Sequence, residues 1–362
     1  MFWVLLLAGA LWVLGYAMGA SLRARLAVLG AIALVVFLIF VALPAGHPLR
    51  QALGGDPRNW ALLAGGLGLA LAYRWGLGKM HARAHAQSAP DPAPSSAGPF
   101  SDVELERYAR HIVLREIGGT GQRKLKAARV LVIGAGGLGA PILQYLAAAG
   151  VGTIGVIDDD TVSLSNLQRQ VIHTEDWLGK PKVFSAQAAL RALNPHVAVH
   201  PYNRRLDEAD ARELFAGYDM VLDGSDNFAT RALVNRAAVA RGIPLVWGAI
   251  TQWEGQVSLF DPARGGPCLH CLFPEEPAPG LAPSCAEAGV IGALPGVIGA
   301  MMALEAIKAL TGAGASLRGA ILIYDGLWGE TRRISVPRRS DCAVCGDAVA
   351  CPAPVDPAAS AD

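Results

Sequence analysis

The tightest constraint on this chain is a short apolar run that meets a glycine-rich turn: Val130-Leu-Val-Ile-Gly-Ala-Gly-Gly-Leu-Gly139. Val130 to Ile133 has the composition of a buried parallel strand. It leads into Gly134-x-Gly136-x-x-Gly139, and a helix is expected to start at about Leu138. Glycines there permit a tight turn and a close backbone approach, so a phosphate can sit on the free N–H groups of the helix N-terminus. A second apolar run, Thr153 to Ile157, ends in Asp158, roughly 20 residues on, where a carboxylate can hold ribose hydroxyls. Alone, these features indicate an adenine nucleotide, and NAD fits them as well as ATP.

Strand and helix patterns alternate around this centre. Strands are expected near 129–134, 152–157, 197–201 and 219–223, with helices near 137–149, 180–193, 207–216 and 227–241. That order predicts an α/β, Rossmann-like, doubly wound sheet. Further strands near 244–250, 255–260, 320–325 and 331–336 extend it into a mixed sheet. Ser101 with Glu104 forms a capping-box pattern opening a helix to about Ile117, and an apolar helix is expected over Gly296–Leu310.

The front of the chain is of another kind. Phe2 to Ala20 carries no charge, and Leu26 to Leu43 is again uncharged and rich in Leu, Val, Ile and Phe. Each approaches the roughly 20 residues that cross a bilayer as a helix. A third apolar stretch starts at Trp60 and is interrupted by glycines. The expected layout is a transmembrane region over 1–80 (helices about 2–20, 26–43 and 60–78), a Pro/Ala/Ser linker over 81–100, a nucleotide domain over 101–350 and a disordered tail over 351–362. The positions of Arg23, Arg25, Arg74, Lys79 and Arg83 favour an outside N-terminus and a cytoplasmic main body. That predicts a multi-pass protein of the inner (cytoplasmic) membrane. A formal net charge of +1 offers nothing to nucleic acid.

Several residues point beyond dinucleotide binding. Arg169 and Lys182 follow Asp158 at distances that let the chain return to the phosphates. Two cations there would neutralise charge developing on an α-phosphate and a leaving pyrophosphate, although either also suits an ordinary surface. Asp226, in Asp223-Gly-Ser-Asp-Asn227, follows an expected strand at the sheet's carboxyl end. It is placed to hold Mg²⁺, or else to cap the helix that follows. Cys268-x-x-Cys271 and Cys342-x-x-Cys345 supply the four thiolates of a closed zinc site. Cys285 belongs to neither pair, and is equally an acyl- or persulfide-accepting nucleophile or an inert thiol.

Together these residues resemble the MoeB/ThiF/HesA family of ubiquitin-activating-type adenylyltransferases, and within it the MoeB branch. The resemblance covers about Ser101 to Asp347: Arg107-Tyr-Ala-Arg110-His, the glycine loop, Asp158 with Ser165-Asn-Leu-Gln-Arg169, Lys182, Ser225-Asp-Asn227, Glu254-Gly-Gln256, both cysteine pairs and Cys285-Ala-Glu-Ala-Gly289. It implies ATP and Mg²⁺ at the sheet's switch point, a structural Zn²⁺, and adenylation of the C-terminal glycine of a ubiquitin-like sulfur carrier. The carrier would be the small subunit of molybdopterin synthase (MoaD type) or the thiamine sulfur carrier (ThiS type). Carried over, Gly134, Gly136, Gly137 and Gly139 form the phosphate loop and Asp158 meets the ribose. Asn166, Arg169 and Lys182 contact the phosphates, Ser165, Leu167 and Gln168 belong to the same nucleotide-binding run, and Asp226 with Asn227 completes the Mg²⁺ and nucleotide contacts. Arg110 resembles the arginine that reaches across a homodimer to the partner's ATP. Sulfur would come from a separate cysteine desulfurase or rhodanese. A nicotinamide-dependent membrane dehydrogenase leaves Arg169, Lys182 and Asp226 without employment; a non-catalytic membrane docking module for the carrier would not need them.

Overall fold

The computed structural model describes residues 2–19, 21–44, 46–53, six positions scattered between 56 and 73, 98–275 and 289–347. The chain forms two units, Met1–Ser95 and Ser96–Asp362. In the first, α1 (Phe2–Ala17) and α2 (Leu22–Ala42) pack on each other, and a short α3 (Pro48–Ala52) follows. Gly19, at φ 70°, ends the first helix short of residue 20. Ser21 then caps α2, accepting the Ala24 N–H at 3.3 Å. Arg25 lies 5.0 Å over the Trp12 ring and 5.5 Å over Tyr16, so its charge is held against α1.

Large apolar side chains such as Trp3, Leu14, Phe37 and Val41 point outward from this unit. Ala24–Ala42 is long and apolar enough to cross a membrane, with mean hydropathy 2.7 over 19 residues. The apolar part of α1 is shorter, Leu6–Ala17. Most of the expected third span (60–78) and of the 81–100 linker lies outside the described residues, as does the tail from 348.

The second unit is built on one eight-stranded sheet of order β3-β2-β1-β4-β5-β6-β7-β8. Its strands are β1 (Arg129–Ile133), β2 (Thr153–Ile157), β3 (Ala198–Tyr202), β4 (Met220–Asp223), β5 (Leu245–Ile250), β6 (Glu254–Phe260), β7 (Ala320–Asp325) and β8 (Glu330–Ser335). The first five are parallel and the last three antiparallel, which makes the sheet mixed and doubly wound as expected.

Alternation along the parallel strands divides their side chains between two cores. Val130, Val132, Ile154 and Val156 pack with Ile142, Leu146, Leu190 and Met302 on one face. Leu131, Ile133 and Ile157 pack with Phe215, Val234 and Trp247 on the other. The helices of the first face are α5 (Gly118–Ala127), α6 (Gly139–Ala149), α7 (Lys182–Leu193) and α11 (Ala293–Thr311). Those of the second are α8 (Glu208–Phe215) and α9 (Phe228–Arg241).

Two helix boundaries depart from the sequence reading. The capping box at Ser101 and Glu104 is present, but α4 (Asp102–Ile112) stops before Ile117. Gly118 takes φ 59° and α5 begins there, although three of its first four residues are glycine. Tertiary contact overrides that poor propensity. Buried Gln122 donates to the Ala149 carbonyl at 2.8 Å, and Lys124 donates to the Thr311 carbonyl of α11 at 3.1 Å. In turn α11 starts at Ala293 rather than Gly296, with Pro295 in its first turn, where the missing N–H leaves nothing unbonded.

Candidate active site

Strand order reverses between β1 and β4, so the chain leaves their carboxyl ends toward opposite faces of the sheet and a crevice opens there. A cleft of about 900 Å³ occupies it. Its floor is the glycine loop. Gly134 takes φ 90°, which favours glycine. A Cβ on Gly139 would lie 2.0 Å from the Gly134 carbonyl oxygen, so only glycine allows the loop to close onto α6.

Asp158 joins the loops after β1 and β2. One carboxylate oxygen accepts the Ala135 N–H at 2.7 Å and the other the Asp160 N–H at 2.8 Å. The carboxylate still faces the cleft and keeps lone pairs for a ligand.

Arg169 and Lys182 both line the cleft. Arg169 is aimed by the Ser165 carbonyl (3.2 Å) and the Asn166 side-chain oxygen (3.1 Å). Lys182 is buried as the first residue of α7, and its Nζ lies 2.8 Å from the exposed carboxylate of Asp160. Asp226 and Asn227 lie on the same cleft and separate in role. Asn227 is the N-cap of α9, accepting the Thr230 N–H at 2.9 Å. Asp226 is exposed and makes no hydrogen bond or ion pair to any described residue. The capping alternative therefore falls to its neighbour, and Asp226 presents a free carboxylate suited to a hard cation.

Other expected site residues sit elsewhere. Leu167 and Gln168 are outside the cleft lining, and the Gln168 carbonyl lies against Gly292, just before α11. Ser165 acts through its backbone on Arg169. Gly139 works beneath the loop rather than on its surface. Arg110, on the exposed last turn of α4, does not line the cleft of its own chain. Cys285 lies outside the described residues.

The structure adds residues that the sequence did not single out. Arg231 donates to the Ser225 carbonyl (2.9 Å), lies 5.6 Å over the Trp247 ring and lines the cleft. Arg204 and Arg205 follow β3 and line it too; their place after a parallel strand was the available signal. Asp223 is fully buried at the end of β4, with one oxygen on the Ser225 N–H at 2.9 Å and the other unpartnered. Burial holds its carboxyl above the ordinary range, against the attraction of Arg231.

The two cysteine pairs converge away from the cleft. Their four Sγ atoms lie within 4.8 Å of one another, with Cys268–Cys342 at 3.7 Å and Cys271–Cys345 at 3.5 Å. Those separations are far beyond a disulfide bond. They match the edge of about 3.8 Å expected for four sulfurs at about 2.3 Å from one zinc ion. The donor set fits a structural zinc that joins the Cys268 turn, with its short helix α10 (Leu269–Leu272), to the segment after β8.

With this geometry in place, residues 108–344 match the model of the ThiF family. The chain belongs to the ThiF family. It is 53% identical over 252 residues to the sulfur carrier protein adenylyltransferase of Thermus thermophilus, covering 68% of this chain and 93% of the relative. The SAMP-activating enzyme E1 of Haloferax volcanii is 50% identical, over 68% of this chain and 90% of the relative. The adenylyltransferase and sulfurtransferase MOCS3 of Mus musculus is 48% identical over 71% of this chain, which spans 56% of that protein. Solved structures share the fold: PaaA at a TM-score of 0.58 (23% identity, 72% of this chain, 81% of that one) and Escherichia coli MccB with ATP at 0.57 (24%, 70% and 75%). This ThiF-family protein is accordingly an adenylyltransferase.

Proposed function

We propose that this ThiF-family protein adenylates the C-terminal glycine of a ubiquitin-like sulfur carrier of the MoaD type, activating it for thiocarboxylate formation in molybdenum cofactor biosynthesis. The observation that carries the reading is the convergence of two cations, Arg169 and Lys182, and a free carboxylate, Asp226, on the cleft above the glycine loop. Hydride transfer needs none of the three, and a docking module would not keep them together.

In the reaction the carrier's terminal carboxylate oxygen attacks the α-phosphorus of ATP, a P–O bond forms, and the α–β anhydride bond breaks to release pyrophosphate. Backbone N–H groups of the glycine loop hold phosphate oxygens, and Asp158 takes the ribose. Arg169 and Lys182 offset charge that grows on the α-phosphoryl and the leaving group. Asp226 would hold Mg²⁺, which neutralises phosphate charge when bound. Arg110 is exposed and does not line its own cleft, which leaves it available to serve the partner's nucleotide in a homodimer. Cys285 would take the acyl group from the adenylate with release of AMP, or take the sulfane sulfur of a cysteine desulfurase or rhodanese persulfide, leaving that donor as a thiol. The hydropathy of Ala24–Ala42 and the outward apolar side chains support anchoring of residues 1–80 in the cytoplasmic membrane, the catalytic unit (101–350) facing the cytoplasm.

The test is ATP–pyrophosphate exchange by the detergent-solubilised full chain, with MoaD-type and ThiS-type carriers supplied separately. Exchange with the MoaD type alone is expected. Exchange only with the ThiS type moves the assignment to thiamine sulfur transfer, and none with either refutes adenylation of these carriers.

A further inference from the structure

His173 is buried below the glycine loop, outside the cleft lining, and the mechanism above does not use it. Its Nε2 lies 2.9 Å from the Ala135 carbonyl oxygen, and its Nδ1 2.9 Å from the Ser185 hydroxyl. A carbonyl only accepts, so Nε2 carries the proton and Nδ1 accepts from Ser185. Desolvation holds the ring's pKa below its ordinary value, in keeping with one neutral tautomer, while Lys182 and Asp158 act on it with opposite signs.

These contacts close a ring of interactions around one residue, Ala135. The Ala135 N–H goes to Asp158, whose other oxygen takes the Asp160 N–H. Asp160 pairs with Lys182, and Lys182 opens the helix that carries Ser185. Ser185 holds His173, and His173 returns to the Ala135 carbonyl.

A trans peptide points its C=O and the next N–H in opposite directions. Drawing the Ala135 carbonyl down to His173 therefore aims the Gly136 N–H up into the cleft, where it donates to no described protein group. Turning that peptide over changes ψ of Ala135 and φ of Gly136, and Gly136 has no Cβ to oppose the new φ. Without a latch it can turn over and present an oxygen to the phosphates.

We propose that His173 is a positioning residue that latches the Ala135–Gly136 peptide so that the Gly136 N–H faces a nucleotide phosphate. This rests on the ATP-binding reading above. One charge-assisted hydrogen bond is at stake, so loss of the latch is expected to weaken ATP by roughly 10- to 100-fold.

The test compares ATP and adenosine binding by equilibrium dialysis, using the full chain in detergent and the variants His173→Leu, His173→Gln and Ser185→Ala. His173→Leu is expected to lose at least tenfold in ATP affinity and less than twofold in adenosine affinity. His173→Gln, which can return an amide N–H to the Nε2 position, should stay within threefold of wild type for ATP. A merely structural histidine would weaken both ligands alike, and that result, or wild-type ATP affinity in His173→Leu, overturns the proposal. Should His173→Leu not fold, Ser185→Ala decides: a severalfold loss confined to ATP supports the latch and none overturns it. Wild-type protein that binds neither ligand would refute the nucleotide-site reading and the latch with it, whereas a failure of the variants alone refutes only the latch.

Discussion

Replacing Gly139 by alanine would set a methyl carbon 2.0 Å from the Gly134 carbonyl oxygen and 2.8 Å from its carbon. Non-bonded heavy atoms settle at roughly 3.5 Å, so one backbone must retreat from the other by more than about 1 Å. Neither atom belongs to a flexible side chain, and Gly134 is already at φ 90°, so the shift passes into the phosphate loop. Overpacking of this kind costs about 1–3 kcal/mol. A displacement of about 1 Å at a reacting centre costs on the order of 10²-fold in rate.

Gly139→Ala should therefore melt several degrees lower and lose about 10²-fold in ATP–pyrophosphate exchange. Gly136→Ala is the control, because its methyl would meet only the Gln170 amide nitrogen at 3.6 Å, an ordinary contact. It should melt as wild type does, with any effect confined to the KM for ATP. Gly137→Ala, 3.1 Å from a Pro295 carbon, should fall between them in stability. Differential scanning fluorimetry with exchange kinetics reads all three. Wild-type melting and exchange in Gly139→Ala would refute the loop geometry and the role given to it.

The remaining predictions address charge and metal. Asp226→Ala and Arg169→Ala should each reduce exchange by about 10²-fold or more. Asp226→Ala should leave stability within about 0.5 kcal/mol, since its side chain is exposed and unpaired; retained turnover in either would remove these residues from the site. Metal analysis of purified protein should find one zinc per chain, lost in Cys345→Ser together with thermal stability; full stability without zinc would refute the four-thiol site. Burial raises the pKa of Asp223, so its ionisation opposes folding at neutral pH, and this penalty disappears as pH falls below the ordinary carboxylate range. Asp223→Asn should consequently gain stability at pH 7 and lose that advantage on acidification; a gain that grew on acidification would reverse the assignment.

Periodicity and local chemistry are short-range, and what they controlled was legible from the chain alone. Val130–Ile133 and Thr153–Ile157 declared themselves parallel strands by being uncharged and rich in Val and Ile, and the glycine spacing marked a tight turn with close backbone approach. The cysteine pairs marked two thiol-bearing turns because the spacing within each is local, whereas their convergence across 74 residues is a product of the fold. The helix at Gly118–Ala127 was not legible, since its glycines oppose helix formation and its side chains are held by the carbonyls of Ala149 and Thr311, distant in sequence. Nor did the sequence distinguish Asp226 from Asn227 as the cap; that depends on where the chain bends after β4. Tertiary structure also decided that His173 and Ser185 meet under Ala135, a contact spanning 38 residues on one side and 12 on the other. Composition and spacing identify which chemical groups a chain carries. Which of them face one cleft, and in which direction a peptide points there, depends on sheet order and helix packing.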